Sequence, residues 1–211
     1  MSNSIIVAGI GTEVGKTVVS TILCEALNAD YWKPIQAGDL EQSDTLFVTD
    51  HLHHQKTFKA WPEAHRLSHA MSPHAAADLD GKEILLDDVE LPTTDNPLVI
   101  ELAGGLMVPL SASVSTVDLI QKLQYPVILV ANYYLGSINH TLLSLHLLRS
   151  KKIPILGVIF NGDANLQSRE VILQQAEVEV IADIPLTKVI DKEFIQTHAK
   201  KIRLNPAMAR L

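Results

Sequence analysis

A three-layer α/β/α fold, an open and mostly parallel β-sheet with helices on both faces, is what this sequence predicts, as a single domain over residues 1–211. Three observations carry it. Short Val/Ile/Leu runs recur without polar alternation, as expected of strands buried on both faces. Amphipathic stretches lie between these runs, so strand and helix alternate as in successive βαβ units. No Pro/Gly/Ser-rich linker, low-complexity tract or repeat divides the chain.

In chain order, the first apolar run spans residues 4–10 and is followed by an amphipathic helix over 16–27. A short second strand contains Tyr31 and Trp32 and ends at Lys33. Residues 51–96 are less regular and read as helical excursions and loops over the carboxyl ends of the strands, where open α/β sheets bind ligands. Strands follow at 97–102, 126–131 and 154–160, with a weaker one at 178–184. Helices at 116–123, 139–149 and 167–176 separate them.

Composition narrows the function classes. The chain is 47% hydrophobic, enough for a substantial core, and its formal charge of −7 comes without a basic tract, which argues against nucleic acid as a partner. No stretch approaches the roughly 20 apolar residues of a membrane span, and the first residues lack the basic, then apolar, pattern of an export signal. The single Cys24 excludes an internal disulfide and reads as a small core residue. A cytoplasmic protein is the expectation.

The strongest local signal is Gly-Ile-Gly-Thr-Glu-Val-Gly-Lys-Thr at 9–17, after the first strand and opening the first helix. Glycines let backbone N–H groups turn toward a phosphate, and a helix N-terminus favours an anion. Lys16 would reach the β- and γ-phosphates and the Thr17 hydroxyl would ligate Mg²⁺, which makes the fold a P-loop NTPase type. Gly9 and Gly15 enclose five residues where four are usual, and Gly11 is an equally good start for a shorter loop. A dinucleotide fingerprint fits worse: its third glycine would fall on Val14, and Asp30, at ribose-binding distance, precedes the second strand.

Other polar residues stand at strand ends. Lys33 reads equally as a solvated charge or as a catalytic group beside the phosphate loop. Asp44 reads first as the cap of the helix that follows it. Glu101 ends an apolar strand, which favours Mg²⁺ coordination over a structural ion pair. Gly136, Ser137, Ile138, Asn139 and His140 open a helix whose free amides suit an anion, and a plain Ser137 N-cap explains them as well. His51, His53 and His54 cluster, and His65 and His69 are four apart, but no third ligand accompanies them, so a solvated face is expected.

Together these segments resemble the dethiobiotin synthetase family. The matching stretches are Gly-Thr-Glu-Val-Gly-Lys-Thr at 11–17, Tyr-Trp-Lys-Pro at 31–34, Ser-Asp-Thr at 43–45 and Ser-Pro-His at 72–74. They continue with Glu-Leu-Ala-Gly-Gly at 101–105, Val-Pro-Leu-Ser at 108–111, Leu-Gly-Ser-Ile-Asn-His at 135–140, Asn161, and Ile-Pro-Leu at 184–186. The resemblance implies an ATP- and Mg²⁺-dependent ligase that closes the ureido ring of dethiobiotin from 7,8-diaminononanoate and CO₂ or bicarbonate. It implies Lys33 and Lys16 as catalytic lysines, and Thr17, Asp44 and Glu101 as the Mg²⁺ ligands. Nucleotide contacts would run through Glu13, Val14, Gly15, Lys16, Thr17 and Val18, then Asp44, Glu101, Leu102, Ala103 and Gly104. Asn161, Gly162, Pro185, Leu186 and Thr187 would border the adenine. The substrate would meet Thr12, Glu13, Lys33 and Ala37. It would also meet Gly136, Ser137, Ile138 and Asn139 of a second subunit, because the family is a homodimer with substrate at the interface.

Three departures stand out. Leu102 occupies a usual glycine position, which predicts crowding of nucleotide or metal. Ala37 replaces a common hydroxyl residue, at a cost of about 0.5–1.5 kcal/mol in substrate binding. Gly162 stands where an Asp is common, beside the base. Two rival readings share the ATP core. A cobyrinic acid a,c-diamide synthase-like amidoligase needs a glutaminase domain that this chain is too short to hold. A nucleotide-switch ATPase of the partitioning type usually carries an additional early lysine in the loop, where this chain has Ile10 or Gly11.

Overall fold

The computed structural model describes residues 4–53 and 58–203. Its chain order begins β1 (Ile5–Gly9), α1 (Lys16–Leu27), β2 (Asp30–Trp32), β3 (Ile35–Ala37) and α2 (Asp44–His51). It continues β4 (Ala60–Trp61), β5 (His65–Leu67), α3 (Pro73–Leu79), β6 (Leu98–Gly105), α4 (Thr116–Leu123) and β7 (Val127–Asn132). The last elements are α5 (Ser137–Ser150), β8 (Ile155–Asn161), α6 (Leu166–Ala176), β9 (Val180–Ile184) and α7 (Lys192–Ala199). Seven strands form one sheet in the order β4-β2-β6-β1-β7-β8-β9, and every pairing in it is parallel. None of the helices among the described residues is long and apolar enough to cross a membrane.

The uninterrupted apolar runs have a direct structural cause, since both faces of the sheet are covered. Ile5 and Val7 of β1 pack with Val19, Ile22 and Leu23 of α1 and Ile195 of α7 on one face. Ile6 and Ala8 pack on the other with Leu119 and Ile120 of α4 and Leu148 of α5. Further along that second face, Leu129 and Phe160 meet Leu145 of α5 and Ile172 of α6.

The irregular segment 51–96 holds more strand than its sequence suggests. β4 extends the main sheet beside β2, and β5 pairs with β3 in a separate two-stranded parallel ribbon. These strands are two or three residues long, too short for any periodicity to be visible. β6 is longer than expected, so Glu101 lies within the strand and does not end it.

Asp30 opens β2, at the amino edge of the sheet and away from the loop at 9–17, and is only 1% exposed. Its carboxylate accepts hydrogen bonds from the Lys59 amide (3.0 Å), Trp61 Nε1 (3.2 Å), Thr94 Oγ1 (2.7 Å) and Asn96 Nδ2 (3.2 Å). The side chain therefore fastens β4 and the approach to β6 onto β2. Asp30→Ala removes the buried acceptor of all four bonds and should lower the unfolding free energy by about 1–3 kcal/mol in urea titration. A change within about 0.3 kcal/mol would show that the four bonds contribute nothing net.

Candidate functional site

The loop between β1 and α1 takes the shape that its glycines allow. A Cβ at Gly9 would stand 2.9 Å from the Gly11 carbonyl oxygen and 2.8 Å from Val14 Cγ2, whereas one at Gly11 would meet nothing within 4 Å. The loop therefore begins at Gly9, and the shorter alternative starting at Gly11 is set aside. Gly15 has φ +89°, and a Cβ there would fall 2.1 Å from Asn161 Nδ2, so a side chain would strain the backbone and displace Asn161. Asn161 in turn donates to the Val14 carbonyl at 3.0 Å, tying the end of β8 to the loop.

Lys16 and Thr17 open α1. Lys16 is buried and its Nζ donates to the Gly11 carbonyl at 2.8 Å. Burial lowers its pKa; Glu101 opposes that shift and Lys33 adds to it. The Thr17 hydroxyl lies 2.6 Å from Asp44 Oδ1 and 2.9 Å from Glu101 Oε1, joining residues from three elements. Lys33, directly after β2, is 6% exposed, forms an ion pair with Asp44 Oδ2 and lies 3.6 Å from Glu101 Oε1. Burial alone would lower the Lys33 pKa, but Glu101 and Asp44 outweigh it and hold the ammonium above its ordinary value. Burial would likewise raise Asp44, and the Lys33 charge and hydrogen bond, with the Thr17 hydroxyl and Lys16, hold it below the usual carboxylate range.

Several expectations change. Asp44 does not cap α2: Ser43 is the N-cap and accepts from the Leu46 amide, which leaves the Asp44 carboxylate to face Lys33 and Thr17. Ser137 does not cap α5, because Gly136 occupies the N-cap in a left-handed conformation and Ser137 is buried as the first helical residue. Leu102 does not crowd the loop. Strand alternation turns Glu101 toward Thr17, while Leu102 packs with Leu110, Val117 and Leu119 in the core of the opposite face. Val14 is likewise buried in the core against α1, so only its backbone remains to meet a ligand.

A cavity of about 660 Å³ opens beside this cluster and takes in Thr12, Glu13, Gly15, Lys16, Thr17 and Val18. Lys33, Ala37, Asp44, Glu101, Ala103 and Gly104 line it as well. Gln36, Asp39, Met71, Ser72, Pro73 and Val108 also border it, and residue-type reasoning assigned none of these a place there. Two of the matching segments touch them, Ser-Pro-His at 72–74, whose proline starts α3, and Val-Pro-Leu-Ser at 108–111.

The remaining expected contacts lie elsewhere on the same carboxyl edge. Gly162 follows Asn161 and its amide donates to Ile184 at 2.8 Å, which sets Pro185, Leu186 and Thr187 beside it. At φ +114° Gly162 adopts a backbone that an Asp would strain to reach. Gly136, Ser137, Ile138 and Asn139 lie beyond β7 and do not line the cavity.

Among the described residues the histidines form no metal site. His65 is on a strand and His69 beyond it, so helical spacing does not apply, and His51 Nδ1 bonds the Phe47 carbonyl oxygen at 2.7 Å. His54 lies outside the described residues. Among the described residues there is no group of three or more His, Cys, Asp or Glu suited to a metal ion. Cys24 is a fully buried core residue whose thiol burial pushes well up, as expected of a structural cysteine.

Comparison with known proteins gives this geometry a context. A family model described as an AAA domain matches residues 3–193. The ATP-dependent dethiobiotin synthetase of Christiangramia forsetii is 48% identical over 203 residues, covering 96% of this chain and 97% of that protein. Those of Cytophaga hutchinsonii and Rhodopseudomonas palustris are each 44% identical, over 93% and 88% of this chain and 95% and 86% of their own lengths. Among solved structures, a ParA family ATPase from Chlorobium tepidum aligns with TM-score 0.58 at 14% identity, covering 95% of this chain and 99% of that one. The cell division ATPase MinD of Pyrococcus furiosus aligns with TM-score 0.59 at 16% identity, covering 94% and 98%. At such identity these ATPases share the P-loop fold alone. With near full-length identity to dethiobiotin synthetases on one side and a phosphate loop ringed by two lysines and two carboxylates on the other, the chain belongs to the ATP-dependent dethiobiotin synthetase family.

Proposed function

We propose that the lysine and carboxylate cluster performs ATP-dependent closure of the ureido ring on 7,8-diaminononanoate. The observation that carries this reading is the convergence at the mouth of the phosphate loop, where Lys33 and Thr17 each meet both Asp44 and Glu101 at 3.6 Å or less. One amine of the substrate attacks CO₂ and, losing a proton, becomes a carbamate. The carbamate oxygen attacks the γ-phosphorus of ATP, breaking its bond to the β–γ bridging oxygen and releasing ADP. The second amine then attacks the carbon of the mixed anhydride, phosphate leaves, and a second N–H proton is lost as the ring closes.

Each of these steps concentrates negative charge where the cluster holds cations. Lys33, kept charged by its carboxylate neighbours, stabilises the carbamate and the transferring phosphoryl group. Lys16 exchanges the neutral Gly11 carbonyl for phosphate oxygens. Thr12 and Glu13, both exposed at the cavity, take the substrate amines. Holding two amines beside one phosphoryl centre makes closure intramolecular, which can lower a barrier by up to roughly 7–11 kcal/mol.

Two carboxylates and a hydroxyl converging at 2.6–2.9 Å offer the hard oxygen donors that Mg²⁺ prefers, so Thr17, Asp44 and Glu101 fit that ion. Mg²⁺ there would neutralise the charge on the β- and γ-phosphates. Asn161, Gly162, Pro185, Leu186 and Thr187 would border the adenine, continuing along the edge to which Asn161 ties the loop.

The protein would act as a homodimer in the cytoplasm. Leu135 is fully exposed, Leu143 is 59% and Tyr134 43% exposed, apolar side chains around the start of α5 that suit a subunit interface. The helix start at Gly136, Ser137, Ile138 and Asn139 would then hold the tail carboxylate of substrate seated in the other subunit, through backbone amides. This accounts for their absence from their own subunit's cavity. The nucleotide-switch reading draws only on shared fold at 14–16% identity.

Phosphate and dethiobiotin, measured by colorimetry and mass spectrometry, should appear one to one and only with MgATP, diamine and bicarbonate together. ATP hydrolysis indifferent to the diamine would sink the ligase and favour the switch. Lys33→Ala should bind ADP as the wild type does yet lose about 10²–10³ in kcat; near-wild turnover removes Lys33 from the chemistry. Acid stability gives an independent check of the charge pairing. Because Asp44 titrates below its ordinary 3.8 in the fold, its ionised form stabilises the protein above about pH 4, and that stability disappears as pH falls through the folded value. In Lys33→Met the partner charge is gone, so urea titrations between pH 5 and 2 should show a shallower acid loss than the wild type. An equal slope would mean that Lys33 does not hold Asp44 down.

A further inference from the structure

We infer that Tyr31 is a positioning residue for the metal site: its hydroxyl occupies one oxygen of Glu101 so that the other faces Thr17 and the cation. Tyr31 is fully buried and donates to Glu101 Oε2 at 2.9 Å. The remaining oxygen, Oε1, accepts from Thr17 at 2.9 Å and lies 3.6 Å from Lys33. The inference rests on the reading of Glu101 as a metal ligand.

The backbone explains how a tyrosine reaches this place. In the ladder between β2 and β6, Tyr31 stands opposite Val99 and Trp32 opposite Ile100. Side chains alternate across a sheet, so Tyr31, Val99 and Glu101 share the face toward α1, and Glu101 is the diagonal neighbour that an aromatic side chain can span. Lys33, two residues after Tyr31, projects to the same face. Glu101 thus lies between a neutral donor on one oxygen and a cation near the other.

The consequence concerns competition. A carboxylate with both oxygens free could turn onto Lys33, and a close ion pair would oppose metal binding. With Oε2 held by Tyr31, that rotation would break a buried hydrogen bond. Losing such a partner of a ligating group typically weakens metal affinity by 10–100-fold.

Tyr31→Phe removes only the hydroxyl and keeps the ring that packs in the core. Mn²⁺ binding in the presence of ADP, followed by electron paramagnetic resonance, should weaken about tenfold in this variant. ADP binding in EDTA should match the wild type. In turnover, the Mg²⁺ concentration at half-maximal rate should rise by a similar factor, with kcat at saturating Mg²⁺ within about twofold. Wild-type Mn²⁺ affinity, even with a lowered melting temperature, would assign Tyr31 to the core alone and overturn the inference. So would a loss of ADP affinity in EDTA as large as the loss for Mn²⁺. Failure of the wild type itself to bind Mn²⁺ with ADP would overturn both this inference and the metal role of Glu101. Diamine-dependent ring closure, measured on the wild type, tests the proposed function separately.

Discussion

Two lysines and two carboxylates withdrawn from water at the carboxyl edge of the sheet constrain the rest of this molecule. Each such charge costs several kcal/mol to desolvate unless it is paired and hydrogen-bonded. Lys33 and Glu101 are almost completely buried, and the Lys33 ammonium stays charged there because Glu101 and Asp44 stand beside it. The two lysines differ in how they are held. Lys33 is held charged by carboxylates, whereas Lys16 donates to a backbone carbonyl and its pKa is lowered by burial. One cation is thus fixed within the cluster and the other is ready to exchange a weak partner for an anion.

That cluster exists because of strand order. The chain places β2 and β4 to one side of β1 and β7, β8 and β9 to the other, with β6 between β2 and β1. Thr17 and Glu101, 84 positions apart, become hydrogen-bonded because α1 starts at the end of β1 and β6 lies next to it. Ligands collect at such a reversal in open α/β sheets since the loops from the two halves part there and leave a crevice. The ribbon of β3 and β5, with α3 behind it, walls the open side of the crevice and contributes Ala37, Ser72 and Pro73 to it.

Much of the fold was legible in the sequence for a simple reason. α1 and α4 begin and end where their periodicity places them, and the long strands fall within a residue or two of their apolar runs, apart from the extension of β6 to Gly105. Burial on both faces leaves a strong pattern in segments of five residues or more. Strands of two or three residues leave none, which hid β4 and the β3–β5 ribbon. The site was legible to the extent that local chemistry demanded it. Glycines at 9 and 15 follow from steric contacts within the loop and with Asn161, and Lys16 and Thr17 from the start of the helix behind it.

The sequence by itself determined the class of fold, the phosphate loop and the family, because glycine turns, helix starts and apolar periodicity are local properties, and so are the motif segments that carry the resemblance. Tertiary structure decided how the polar side chains that the resemblance groups come into contact, and which others join them. Asp44 reads as a helix cap until Ser43 is seen to fill that role. Leu102 reads as an obstruction until strand alternation turns it into the opposite core. Tyr31 has no assigned role in its short strand until the ladder between β2 and β6 sets its hydroxyl on Glu101. Pairing between distant residues depends on strand register and on which face a side chain takes, and neither is encoded within any single short segment.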